Sequence, residues 1–298
     1  MGTSQGNARR RRESWAAALF IGPDLIGLVV FVLLPILFAV YVSFFGWNLI
    51  SPMKFIGLAN YRRLATDSDW WLSMGRTLQF AFIYVPVLFA ISLGLAVAFT
   101  KLTGRTSAGL RSAYLLPFAV TSVIASTLWM FLYQEKTGYL NAFLNLLGIP
   151  DQPFIGSPAQ AMVSVVVVVL WINLGYTSML FFSAIRQIPA SLLEAARLDG
   201  ANGWKTFWGI TFPLIRPTSV FVVVTSTIAS FQILDIILVM TRGGPANATQ
   251  VGVLYIYKRS FDQLQMGYGS ALSVVMFVIL LVISLIQLRF TRRNNLEG

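Results

Sequence analysis

Read for runs free of Asp, Glu, Lys and Arg, the chain falls into six apolar stretches. They lie at about 16–46, interrupted by Asp24, then 77–100, 112–134, about 159–185, about 217–241, where Asp235 is the one charge, and 263–288. About 20 apolar residues cross a hydrocarbon core as a helix, and open strand edges cannot satisfy their backbone groups in lipid. Six spanning helices are therefore expected, in an all-α integral membrane protein. The first run follows Arg9, Arg10, Arg11 and Arg12 as a signal peptide would. It continues to about Gly46, however, past the length of a signal core and with no small-residue cleavage site, so a retained helix is expected.

The connections set the orientation. With the N-terminus inside, fourteen of the 22 Lys and Arg residues fall on the cytoplasmic side and eight on the other, the bias that the positive-inside rule requires. This reading gives a basic cytoplasmic N-terminus over 1–15, a membrane domain over 16–290 and a cytoplasmic C-terminus over 291–298. The outer connections, about 47–76, 135–158 and 242–262, leave no room for a separate folded domain. The inner connection 186–216 is the odd one, at about thirty residues where a few usually suffice.

Composition agrees with the run lengths. Hydrophobic residues make up 56% of the 298 and charged residues 11%, against about 25% charged in ordinary soluble domains. The net charge of +11 is then a matter of topology, since binding nucleic acid would call for a basic face on a soluble domain. Histidine and cysteine are both absent, which removes disulfides, thiolate zinc sites, cysteine nucleophiles and histidine acid–base chemistry. No metal site, resident cofactor or catalytic residue is expected. None of the five lysines follows a glycine, so the chain has no phosphate-cradling Walker A segment.

The long inner connection carries its own signals. Pro189 suits the start of a short helix, and Gly200 suits a left-handed stop. Asn202 suits the cap of a second helix. In that second helix Trp204, Phe207, Trp208 and Thr211 share one face at i, i+3, i+4 and i+7, with Pro213 expected to end it. The product is a helix–turn–helix hairpin with an exposed aromatic ridge, which either rests in lipid headgroups or meets a protein partner.

The residues of the hairpin resemble the Glu-Ala-Ala motif of permeases from binding-protein-dependent ABC importers. Glu194, Ala195, Ala196, Gly200, Ile210 and Pro213 match in register, and Phe212 stands at the motif's Leu place. Four further pieces look like the carbohydrate-importer branch, with its maltose-type and glycerol-phosphate-type permeases. These are Leu19 to Pro23, Pro35 with Tyr41 to Phe44, Phe55 to Tyr61, and Thr241 to Pro245. The resemblance implies a six-helix permease bundle in the bacterial plasma (inner) membrane, with residues 186–217 forming a cytoplasmic coupling loop. Docking on a separate ATPase would fall to Glu194, Ala195, Ala196, Asp199, Gly200, Ala201, Trp204, Phe207 and Trp208. The partners it implies are a second, non-identical permease, an ATPase dimer holding ATP and Mg, an extracytoplasmic solute-binding protein and a sugar-like solute.

Polar groups inside spans are costly and tend to face an interior or a wet cavity. Asn173, Tyr176 and Thr177 share a face of the fourth stretch at i, i+3 and i+4, roughly mid-membrane, and Thr225, Ala229, Gln232 and Asp235 form a stripe on the fifth. Asn173, Tyr176, Thr177, Gln232 and Asp235 are thus candidates for the solute pathway, set against plain interhelical hydrogen bonding. Asp24, near the inner end of the first helix, has no transport role in this reading. An ion-coupled secondary transporter is the alternative, and it would need intramembrane acids or broken helices in inverted halves.

Overall fold

The computed structural model describes residues 19–102 and 105–293. The basic N-terminus and the last five residues lie outside them. Two compact units are formed. One comprises the described residues up to Thr66 with Ile256–Val275, the other Asp67–Tyr255 with the described residues from Met276. The described residues hold five helices long and apolar enough to cross a membrane, or six when one sharply bent pair counts as a span.

In the first unit the helix Leu19–Val42 is almost wholly exposed. It ends four residues earlier than the apolar run because the Ser43 hydroxyl donates back to the Val40 carbonyl at 2.6 Å and lies 2.7 Å from the Tyr61 hydroxyl. A two-stranded antiparallel hairpin follows, with Phe45 opposite Phe55 and Gly46 opposite Lys54. The buried Asn60 amide donates to the carbonyls of Ser43 (2.8 Å) and Phe45 (3.1 Å). The Phe55-to-Tyr61 stretch is therefore a clamp on the end of the first helix. Gly267, near the start of the helix Met266–Arg293, donates its N–H to the Trp47 carbonyl at 3.1 Å. It lies so close to the Phe45 carbonyl that a β-carbon would collide with it.

The second unit is built on the helix Ser68–Lys101, 34 residues long. It starts nine residues before the second apolar run because Asp67 caps it, accepting from the Trp70 N–H at 3.2 Å and, on its other oxygen, from the Tyr255 hydroxyl at 2.7 Å. This helix packs along Ala161–Arg186, with Phe80, Leu88, Val165 and Val168 fully buried in a core shared with Ile237 and Leu254. Several hydroxyls buried in the spans return to their own helix, Ser178 to the Leu174 carbonyl for example. Such bonds satisfy the donor where no water is present.

The third stretch is not one straight span. Arg105–Leu115 runs into a tight turn at Leu116–Ala119, and the chain restarts as Ser122–Leu132 at 99° to the preceding helix. Pro117 withholds an N–H from the turn, Val120 and Thr121 are extended, and the Thr121 hydroxyl accepts from the Ile124 N–H as a fresh N-cap. Hydrophobicity runs through this elbow unchanged, so apolar run length alone cannot register it. At the elbow Gly175 of the long helix meets Tyr114 so closely that a β-carbon would overlap the Tyr114 carbonyl.

The fifth stretch is also broken, into Arg216–Phe231 and Asp235–Met240. Gln232 leaves the helix at φ −102° and ψ 11°. The sequence there has neither proline nor glycine. The break goes with burial of Phe231, Ile233, Ile236 and Ile237, which a single straight helix would spread around its circumference.

Candidate functional site

The hairpin of the long connection forms as its turn residues require. Pro189 precedes the helix Ala190–Leu198, and Gly200 stops it at φ +75°. The stop is a six-to-one closure, with the Ala201 N–H on the Ala196 carbonyl at 2.9 Å and the Gly200 N–H on the Arg197 carbonyl at 3.1 Å. That pattern is the Schellman arrangement. Asn202 caps the second helix by accepting from the Lys205 N–H at 2.9 Å.

The second helix departs from the expected course in two ways. Pro213 does not end it. A wide π-turn at Phe207–Thr211 comes first, in which the Phe212 N–H reaches back five residues to the Phe207 carbonyl. The helix continues over Phe212–Leu214 and ends at Ile215. Proline has no N–H and its ring crowds the carbonyl four residues earlier, so widening the turn before it relieves both conflicts. The aromatic ridge is also divided. Trp204 and Trp208 are exposed, with rings 5.7 Å apart, but Phe207 turns inward with Phe212 against the core around Phe181 and Ile215. Thr211 is buried.

The exposed surface of the hairpin is thus Glu194, Ala195, Asp199, Gly200, Trp204 and Trp208, joined by Leu198, which is 90% exposed and which the sequence reading passed over. Ala201 is half-buried and Ala196 buried. Ala196 and Phe207 therefore hold the hairpin together, with Ala201 at the margin, while the remaining predicted docking residues face out.

The pathway candidates do not converge. Asn173 donates its amide to the Val169 carbonyl of its own helix at 2.9 Å. Thr177 is buried, whereas Tyr176 points outward and stacks on Phe118 at 4.6 Å and 10°. Thr225, Ala229, Gln232 and Asp235 keep a common exposed side despite the helix break, with Gln232 at the break and Asp235 opening the next helix. The stripe faces away from the core of this chain. A polar contact that the sequence reading missed joins Gln287 to Thr227, amide to hydroxyl, at 3.0 Å. An amide inside the sixth apolar run was the available signal.

After Met240 the chain forms a tightly bonded loop. Arg242, Ala246 and Asn247 have positive φ. The Thr249 hydroxyl donates to the Gly244 carbonyl at 2.8 Å and lies 2.7 Å from the Thr241 hydroxyl. The Gly252 N–H beyond it bonds the Thr77 hydroxyl at 2.8 Å, which ties the loop's end to the helix Ser68–Lys101. Among the described residues no three carboxylates cluster as a metal site would.

Comparison with known proteins agrees with this architecture. The sequence pattern of the family described as "Binding-protein-dependent transport system inner membrane component" matches residues 19–295. The chain is 33% identical, over 94% of its length and 94% of the other's, to the probable starch degradation products transport system permease protein AmyD of Thermoanaerobacterium thermosulfurigenes. It is 34% identical to the sn-glycerol-3-phosphate transport system permease protein UgpA of Agrobacterium fabrum, covering 93% of this chain and 94% of that one. It is 31% identical to the trehalose/maltose transport system permease protein MalF of Thermococcus litoralis, covering 94% and 95%. A crystallised bacterial alginate ABC transporter, solved in complex with an alginate pentasaccharide-bound periplasmic protein, shares the fold with a TM-score of 0.85. It is 20% identical and covers 96% of each chain.

Proposed function

The chain belongs to the family of binding-protein-dependent transport system inner membrane components, and from that membership we propose that it serves a sugar importer and is driven through its inner hairpin. It is a membrane-spanning permease subunit of an ABC transport system. The solute in this reading is a sugar or related polyol. Two of the relatives are named for starch degradation products and for trehalose and maltose. The relative named for sn-glycerol-3-phosphate keeps a phosphorylated polyol in view. The lack of a basic cluster within the spans speaks for a neutral solute.

The observation that carries the coupling role is the hairpin itself. A short helix is fixed by the Gly200 closure and rooted by Phe207 and Phe212, and it leaves Leu198, Trp204 and Trp208 exposed. Large exposed aromatics on a rigid support are what a protein contact uses. A rigid hairpin also transmits a displacement of its partner into the two helices that flank it. In this reading the partner is an ATPase dimer, with ATP and Mg held there. A second, non-identical permease completes the pathway against the Thr225-to-Asp235 side, and an extracytoplasmic receptor delivers the solute.

Two measurements test this reading. The purified chain alone is expected to show neither ATP hydrolysis nor uptake in proteoliposomes. Both should return when the second permease, the ATPase and the receptor are added, and ATP turnover by the chain alone would sink the reading. Both termini are cytoplasmic in this proposal, from the fourteen-to-eight charge bias. A reporter fused after Gly298 should therefore be active only in the cytoplasm, and external activity would mean an odd number of spans.

A further inference from the structure

The helix Ser68–Lys101 is about 51 Å long at 1.5 Å per residue, well beyond the roughly 30 Å of a hydrocarbon core. Its apolar run begins only at Thr77, so its first two turns project past the membrane core, on the side that the charge bias assigns to the exterior. Those two turns border a small cavity and, beside it, present an open face. The cavity, about 180 Å³, is lined by Asp69, Ser73, Arg76, Asn247 and Gln250 among others. The open face shares Leu72 and Arg76 with it and adds Trp71 and Gln79.

We propose that this cavity and the open face beside it form a binding subsite for a neutral, hydroxylated solute, one sugar ring in the cavity and a second ring against Trp71. This inference rests on the importer reading above. The cavity offers a carboxylate acceptor, a guanidinium donor and two carboxamides that do both. That mixture suits vicinal hydroxyls, each of which donates and accepts. Asp69 and Arg76 balance each other in charge, so an anion drawn to the guanidinium would meet the carboxylate as well. Trp71, 47% exposed, supplies an apolar plane of the kind that a sugar ring's C–H face covers.

The walls are held before any ligand arrives. Ser73 is buried, donates to the Asp69 carbonyl at 2.8 Å and accepts from the Gln250 amide at 3.4 Å. Arg76 is steadied by donating to the Gln79 side-chain oxygen at 3.0 Å. Asn247, at φ +59°, sits in the loop closed by Thr249 and Gly244. A preorganised site loses less entropy on binding, which matters for a weak transit site.

The test uses the assembled transporter in lipid nanodiscs, with maltotriose and sn-glycerol 3-phosphate as probes and saturation-transfer NMR as the readout. Maltotriose should bind, and Asp69→Asn and Asn247→Gly should each weaken it by at least about tenfold, or 1.4 kcal/mol. Glycine keeps the positive φ and removes only the amide. Co-purification of the complex shows that each variant is assembled. Unaltered maltotriose binding in both site variants overturns the subsite, as does tighter binding of sn-glycerol 3-phosphate. In either case receptor-dependent uptake by the wild-type complex would leave the importer reading standing.

Discussion

Gly175→Ala is expected to destabilise the membrane domain by about 3 kcal/mol or more. A single β-carbon there overlaps the Tyr114 carbonyl and crowds the backbone of Leu115. Overpacking ordinarily costs about 1–3 kcal/mol because side chains adjust, but here the obstacle is main chain at the elbow between Arg105–Leu115 and Ser122–Leu132. The elbow would have to move away from Ala161–Arg186, along with the apolar cavity of about 230 Å³ that Tyr114, Pro117, Trp171 and Gly175 line. Thermal unfolding in detergent and protease resistance measure the effect. Gly94→Ala is the control, since nothing lies within 4 Å of its added β-carbon, and alanine should if anything strengthen that helix by up to about 1 kcal/mol. Equal melting of the two variants would mean that the elbow yields freely.

Gly200→Val should uncouple the transporter without unfolding it. The position has open space around it, so the penalty is purely one of backbone conformation. A β-branched residue at φ +75° carries roughly 1–3 kcal/mol of strain. At tenfold per 1.4 kcal/mol, the docking-ready hairpin would fall by about fivefold to over a hundredfold. The expected result is an inserted subunit whose complex hydrolyses ATP with little solute uptake, or loses its ATPase. Gly200→Asn should retain most of the coupling, because asparagine tolerates the left-handed region. Wild-type uptake with valine at this place would show that the hairpin merely rests on headgroups.

Much of the hairpin was legible because its signals are local. Pro189, Gly200 and Asn202 each act on a neighbouring backbone group, and each does in the structure what its chemistry suggests. The spans were legible as apolar runs, although their ends moved wherever a polar group a few residues away captured the terminus, as Asp67 and Ser43 do. The elbow after Pro117 and the break at Gln232 were not legible, because hydropathy reports that a segment is apolar and not that it is straight. Which aromatics of the hairpin face out was half legible. Periodicity placed Trp204, Phe207 and Trp208 together, and the π-turn then sent Phe207 inward.

That turn also constrains how this connection can change in length. An added residue in a regular helix swings everything beyond it by about 100°. Absorbed in a wider loop of backbone, it leaves the flanks on their bearings. Between Gly200 and the next span, the chain holds one residue more than an unbroken α-helix would use, and Pro213 follows two residues past the turn. Loss of that residue alone would set the proline ring against a carbonyl, while loss of the proline alone would leave the extra residue nothing to accommodate. Removing both together is therefore expected to disturb the connection less than removing the extra residue alone.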